Sequence, residues 1–182
     1  ASNYPPVFHF LMTPFVWLFG PQYWYGRAII FTATPITAGV IAWAVNRNHQ
    51  HRWAAFIAAL CFLASNYIYH IGPLLRQHLL MVMFETLAVV IMANALDIGK
   101  IKHKRRKLFI GFLLLLLAGY TRQLAYSTCI AVGIWALLRN PRTAMIYSLG
   151  LITAAIAVFL IADISTDGNW TLNLISANTN PF

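Results

Sequence analysis

Several apolar blocks of roughly 17–22 residues constrain this chain more than any other feature, because that is about the length a helix needs to cross a hydrocarbon core of about 30 Å. In lipid a backbone must satisfy its own N–H and C=O groups, which isolated strands cannot do, so the blocks read as helices. Composition agrees. Of 182 residues, 60% are hydrophobic and 9% charged, whereas a soluble domain carries about 25% charged residues. There is too little polar surface here for an ordinary cytosolic enzyme or a disordered tail. The balance of 13 Lys and Arg against 4 Asp and Glu, +9 overall, would suit nucleic acid, but the apolar content excludes that partner. The expectation is an all-α polytopic membrane protein, one helical transmembrane domain over 1–182, whose first partner is the lipid bilayer.

Six crossings are expected, over 26–45, 53–69, 74–96, 107–118, 124–138 and 143–162. The cations orient them. With the N-terminus non-cytoplasmic, the loops 46–52, 97–106 and 139–142, with Lys107 at an edge, hold Arg47, Arg52, Lys100, Lys102, Lys104, Arg105, Arg106, Lys107, Arg139 and Arg142. Only Arg27, Arg76 and Arg122 remain on the other side, which satisfies the positive-inside rule. Residues 108–138 could instead form one helix, but it would measure about 46 Å. It would also place Arg122 near the bilayer centre, at a cost of at least about 2.5–3.5 kcal/mol. Two arms with a tight turn at Gly119-Tyr120-Thr121-Arg122-Gln123 fit better.

The first 22 residues read as part of a non-cytoplasmic loop carrying a surface helix. Pro5 and Pro6 can precede and start a helix but not sit inside one. The stretch 7–19 is short for a crossing, and its aromatics Phe8, Phe10, Phe15, Trp17 and Phe19 suit the interfacial belt. An amphipathic interfacial helix is expected, ended by Gly20-Pro21. Ala1 opens without a signal-peptide pattern and Phe182 ends abruptly, so the chain is expected to be an internal piece truncated at both ends. Cys61 and Cys129 lie inside apolar blocks and read as small buried packing residues.

The polar residues of interest collect on the non-cytoplasmic side. Arg76 and Arg122 each stand at a helix end, either anchoring helices at the interface or converging on a phosphate, which Arg grips in bidentate fashion at any relevant pH. His70 and His78 are eight apart across Gly72-Pro73 and form no metal-ligand signature. His9 faces polar solvent or substrate from the surface helix. Glu85 is an intramembrane carboxylate, either neutral and hydrogen-bonded or functional. Asn66 reads as a polar contact between helices, and Asn169-Trp170-Thr171 matches a glycosylation acceptor that occurs often by chance. No phosphate loop, nucleophile elbow, zinc motif or CxxC occurs. No cofactor is evident, and a divalent metal stays open as an alternative.

The order of these short motifs resembles the GT-C superfamily of membrane glycosyltransferases, which includes the protein mannosyltransferases and the aminoarabinose transferases. The similarity lies in Tyr4-Pro5-Pro6, in Leu18-Phe19-Gly20-Pro21 before a span opening Gly26-Arg27, in Gly72-Pro73-Leu74-Leu75-Arg76, and in Gly119-Tyr120-Thr121-Arg122-Gln123. The closing Ala177-Asn178-Thr179-Asn180-Pro181-Phe182 is similar to a loop of bacterial members. The resemblance implies inverting transfer of a sugar from a polyprenyl-phosphate donor to an unknown acceptor on the non-cytoplasmic face, in a bacterial inner membrane rather than the endoplasmic reticulum. It implies donor-phosphate binding by Arg76 and Arg122, and a substrate loop of Tyr4, Pro5, Pro6, His9 and His78. The catalytic base is expected upstream of residue 1, which would leave this piece inactive alone. Where related sequences carry an acid two positions after the Arg, this one has His78, and Arg122 replaces the commoner Lys. The competing expectation is a multi-span transporter or lipid flippase component with Glu85 as its ion site, against which stands the lack of paired inverted halves.

Overall fold

The computed structural model describes residues 5–71, 74, 76–96 and 104–174. Tyr4, Gly72, Pro73, Leu75, Lys100, Lys102 and the closing motif from Ala177 lie outside the described residues. Everything regular among those described is helical, in the order α1 (Val7–Phe19), α2 (Trp24–His49), α3 (Arg52–Leu63), α4 (Asn66–Ile71), α5 (His78–Leu96), α6 (Lys104–Thr121), α7 (Ala125–Arg139), α8 (Pro141–Ser165) and α9 (Asn169–Leu174).

Three of these, α2, α5 and α8, are long and apolar enough to cross a membrane. Their 26, 19 and 25 residues measure about 39, 28 and 37 Å. Six uniform crossings are not what the helices display. The expected crossing at 53–69 is divided: α3 has 12 residues, and Ser65 breaks the run by accepting from the Ile68 N–H (3.4 Å) as α4 begins. Serine competes with the helix ladder in this way and favours caps. The arm α7 has 15 residues, and α6 spends its first turn on Lys104, Arg105, Arg106 and Lys107.

Helix boundaries follow local chemistry. α1 stops at Gly20, whose φ of 75° suits a residue without Cβ. The corner into α2 is tied by Tyr25, buried at 1% exposure, whose hydroxyl donates to the Gly20 carbonyl (3.1 Å) and accepts from the Gln22 N–H (3.0 Å). Its ring stacks on Phe15 at 5.8 Å. His51 Nδ1 accepts from the Ala54 N–H (3.1 Å) and caps α3. Asn140 alone separates α7 from α8. It accepts from the Thr143 N–H (3.4 Å), and Pro141 fills the first turn, where its missing N–H costs nothing.

α1 forms where expected but is apolar nearly all round, with only His9 and Thr13 polar in its sequence, so it lacks the charged face of an amphipathic surface helix. Phe8 alone in α1 is buried, while Phe10, Trp17, Leu18 and Phe19 are exposed. Cys61 is exposed on α3 rather than buried, and Cys129 is half-buried.

The main core joins Ala88, Met92 and Ala95 of α5 to Leu108, Phe112 and Leu115 of α6, Val132 and Ala136 of α7, and Ala144 of α8. α5 and α6 approach closely because Gly111 faces Met92: a Cβ there would lie 2.3 Å from Met92 Cγ. Tyr147 stacks on Phe112 at 5.5 Å and donates to the Arg105 carbonyl (3.1 Å), fastening the start of α8 to the start of α6. A second cluster packs Phe8 with Ile30 and Ala33 of α2, Ile68 of α4, and Leu79 and Leu80 at the start of α5. The bundle therefore has two chemically different ends. Arg47, Asn94 and Arg139 line one pocket at the first. The start of α1, α4, the start of α5 and the α6–α7 turn meet at the second.

Candidate functional site

The second end carries the expected site residues. The chain leaves α6 at Thr121, whose hydroxyl donates back to the Leu117 carbonyl (2.7 Å). Arg122 and Gln123 form the turn, and the Ala125 N–H bonds the Arg122 carbonyl (3.1 Å). The turn is tight because Gly119 lets the Tyr126 ring approach: a Cβ at Gly119 would sit 3.2 Å from Tyr126 Cε1. Arg122 thus emerges at the head of a two-helix hairpin, the geometry expected for 108–138.

There Arg122 Nη1 donates to His78 Nδ1 at 3.1 Å, across 44 residues of sequence. A guanidinium only donates, so Nδ1 must be the acceptor and the ring proton sits on Nε2. Arg76 is close enough for its charge, like that of Arg122, to act on the His78 ring. Tyr67 meets the same imidazole edge to face, ring centroids 6.1 Å apart. Arg76, His78 and Arg122 therefore form one cationic and hydrogen-bonding group, with Arg76 exposed and the other two half-buried. Of the expected loop residues, Pro5 is buried and Pro6 half-buried, directly before Phe8, which shares a cluster with Leu79 and Leu80. His9 is exposed one residue further on, its ring 6.2 Å from that of Phe8.

Sequence reasoning missed Gln77. It lies between Arg76 and His78, is buried, and caps the start of α5 through its carbonyl, which accepts from the Met81 N–H (3.1 Å). Its Oε1 is fully buried and has no hydrogen-bond partner among the described residues. An acceptor left without a donor costs about 1–3 kcal/mol, and nothing in the local sequence distinguishes this Gln from a surface one.

From the same turn an apolar groove of about 640 Å³ runs down between α6, α7 and α8. Gly119, Tyr120 and Tyr126 line it at the Arg122 end, and Leu137 and Ser148 line it far down α7 and α8. Tyr120 braces its mouth by donating to the Ala155 carbonyl of α8. Ser148 Oγ is buried there without a partner among the described residues. Glu85 is half-buried on α5, within electrostatic reach of Cys129 on α7. No three His, Cys, Asp or Glu residues group to hold a metal among the described residues.

Residues 3–168 match the family described as predicted membrane protein (DUF2079). The chain belongs to that family. No curated protein and no solved structure matches it. With three helices of crossing length and composition among the described residues, this DUF2079 member is a membrane protein, in contact with the lipid bilayer.

Proposed function

We propose that this DUF2079 protein forms part of an inverting glycosyltransferase that moves a sugar from a polyprenyl-phosphate donor to an acceptor on the non-cytoplasmic face. The observation that carries the reading is the meeting of Arg76, His78 and Arg122 at the head of the α6–α7 hairpin, where the apolar groove also begins. A lipid-linked sugar phosphate needs both features: fixed cations at headgroup depth and a greasy channel for its chain. The motif order shared with GT-C enzymes adds to this.

In such a transfer the acceptor nucleophile attacks the anomeric carbon while the bond from that carbon to the phosphate oxygen breaks. The nucleophile's proton passes to a general base, and the electron pair of the broken bond stays on the polyprenyl phosphate. Negative charge grows on that oxygen, and donors already in place stabilise it without reorganising. Arg122, held by His78, is such a donor; Arg76, more exposed, would steer and neutralise the phosphate. The general base is assigned to no residue of this chain.

The test is photocrosslinking of purified protein with a diazirine-bearing polyprenyl phosphate. A lost charge-assisted hydrogen bond is worth about 1.5–3 kcal/mol, so Arg122→Ala should weaken capture by about ten- to a hundredfold, Arg76→Ala by less, and Arg52→Ala hardly at all. Equal losses in all three variants, or none in Arg122→Ala, would overturn the reading.

A further inference from the structure

The opposite end of the bundle holds a second cationic site that the transferase reading does not use. A pocket of about 300 Å³ opens between the C-terminal parts of α2, α5 and α7, where Arg47, Asn48, Asn94, Trp135 and Arg139 share its wall. The three segments are far apart in sequence, so the two arginines line one cavity only through the packing of α2 and α7 against α5. Arg47 is partly oriented, its guanidinium 5.2 Å from the centroid of the Trp43 ring. Asn94 is fixed by donating from Nδ2 to the Val90 carbonyl (2.8 Å). No carboxylate appears in the lining among the described residues.

Both arginines are exposed at this cavity, and Arg matches phosphate oxygens with a planar fork of donors. The remaining wall is apolar, mostly from α5. Cations above and hydrocarbon beside them suit a phosphate carried at headgroup depth, the pattern by which basic pockets between transmembrane helices take anionic lipid headgroups. The geometry points to a phosphate-binding site at Arg47 and Arg139 that takes the headgroup of an anionic phospholipid, at the bundle end remote from Arg76 and Arg122.

The experiment is native mass spectrometry of the detergent-solubilised chain with phosphatidylglycerol or phosphatidylcholine at equal concentration, each with and without inorganic phosphate. The native chain should retain phosphatidylglycerol preferentially. A charge-assisted hydrogen bond to phosphate is worth about 1.5–3 kcal/mol, so Arg139→Gln should lower retention about tenfold or more, and Arg47→Gln with Arg139→Gln further still. Arg142→Gln, an equal charge change outside the pocket, should lower it by no more than the about fivefold that loss of one surface charge gives. Circular dichroism checks each variant, and the single exposed Arg139→Gln keeps the test decisive if the double variant does not fold. Retention that persists in inorganic phosphate assigns the site to the lipid headgroup. Displacement by phosphate, with the same variant pattern, keeps the phosphate site and moves its occupant to the free ion. No preference for phosphatidylglycerol together with no phosphate binding, or an Arg142→Gln loss as large as that of Arg139→Gln, would overturn the proposal.

Discussion

Replacing Gly111 by Ala tests the closest helix contact in the core. The added Cβ would fall 2.3 Å from Met92 Cγ and 2.9 Å from its Sδ, with the Ala88 carbonyl oxygen at 3.5 Å. Met92 is at 0% exposure, and Cγ lies mid-chain, so the side chain must change rotamer inside a closed core or the helices must part. Overpacking of this kind costs about 1–3 kcal/mol. Against it, Ala gains about 0.8–1.0 kcal/mol over Gly within a helix, so the single variant should be destabilised by only about 0–2 kcal/mol. The decisive quantity is therefore the coupling. In a Met92→Ala background the clashing atoms are gone, the helix gain remains, and the same Gly111→Ala change should stabilise by up to about 1 kcal/mol. The assay is reversible unfolding in mixed micelles with increasing sodium dodecyl sulfate, followed by tryptophan fluorescence, for the four proteins of the cycle. A coupling of about 1–3 kcal/mol is expected. If Gly111→Ala has the same effect in both backgrounds within about 0.5 kcal/mol, the two residues do not touch and the α5–α6 interface described above is wrong.

Tyr25→Phe keeps the stacked ring but removes the hydroxyl that links Gly20 and Gln22; with about 1 kcal/mol per hydrogen bond, a loss of about 1–2 kcal/mol is expected in the same unfolding assay. Gly133 borders the groove and has room for a side chain, its nearest neighbour beyond a Cβ being Ser148 Oγ at 3.9 Å. Gly133→Phe, checked for folding in the same unfolding assay, should block capture of the polyprenyl probe, and unaltered capture in the folded variant would separate the groove from lipid binding. Cysteine substitutions at Arg76 and Arg139, labelled with a membrane-impermeant maleimide in sealed vesicles, should react from opposite sides; labelling of both from one side would refute the division of the bundle into two ends.

Much of the helical order was legible because its causes are local. Apolar runs, Gly20, Asn140 and Pro141 act on their immediate neighbours, so α2, α5, α7 and α8 fall close to the expected segments. The division at Ala64 and Ser65 was misread because hydropathy averages over a short polar interruption, while capping depends on single hydrogen bonds. In α1 the polar side chains His9 and Thr13 fall one turn apart on one exposed face, a spacing already visible in the sequence. Gln77 escaped notice because burial, not residue type, makes its oxygen unusual.

By itself the sequence determined that this chain belongs in lipid, that it is helical, and that its cations are unequally shared between loops. These follow from transfer energies and backbone satisfaction, which act residue by residue or within a turn. Tertiary structure alone decided that Arg122 meets His78, that Gly111 admits Met92, that an apolar groove begins beside the α6–α7 turn, and that Arg47 and Arg139 share a pocket. Each depends on which helix faces join, and those faces are set by packing among side chains tens of residues apart. In a chain apolar on every side, hydropathy leaves that choice open; shape resolves it.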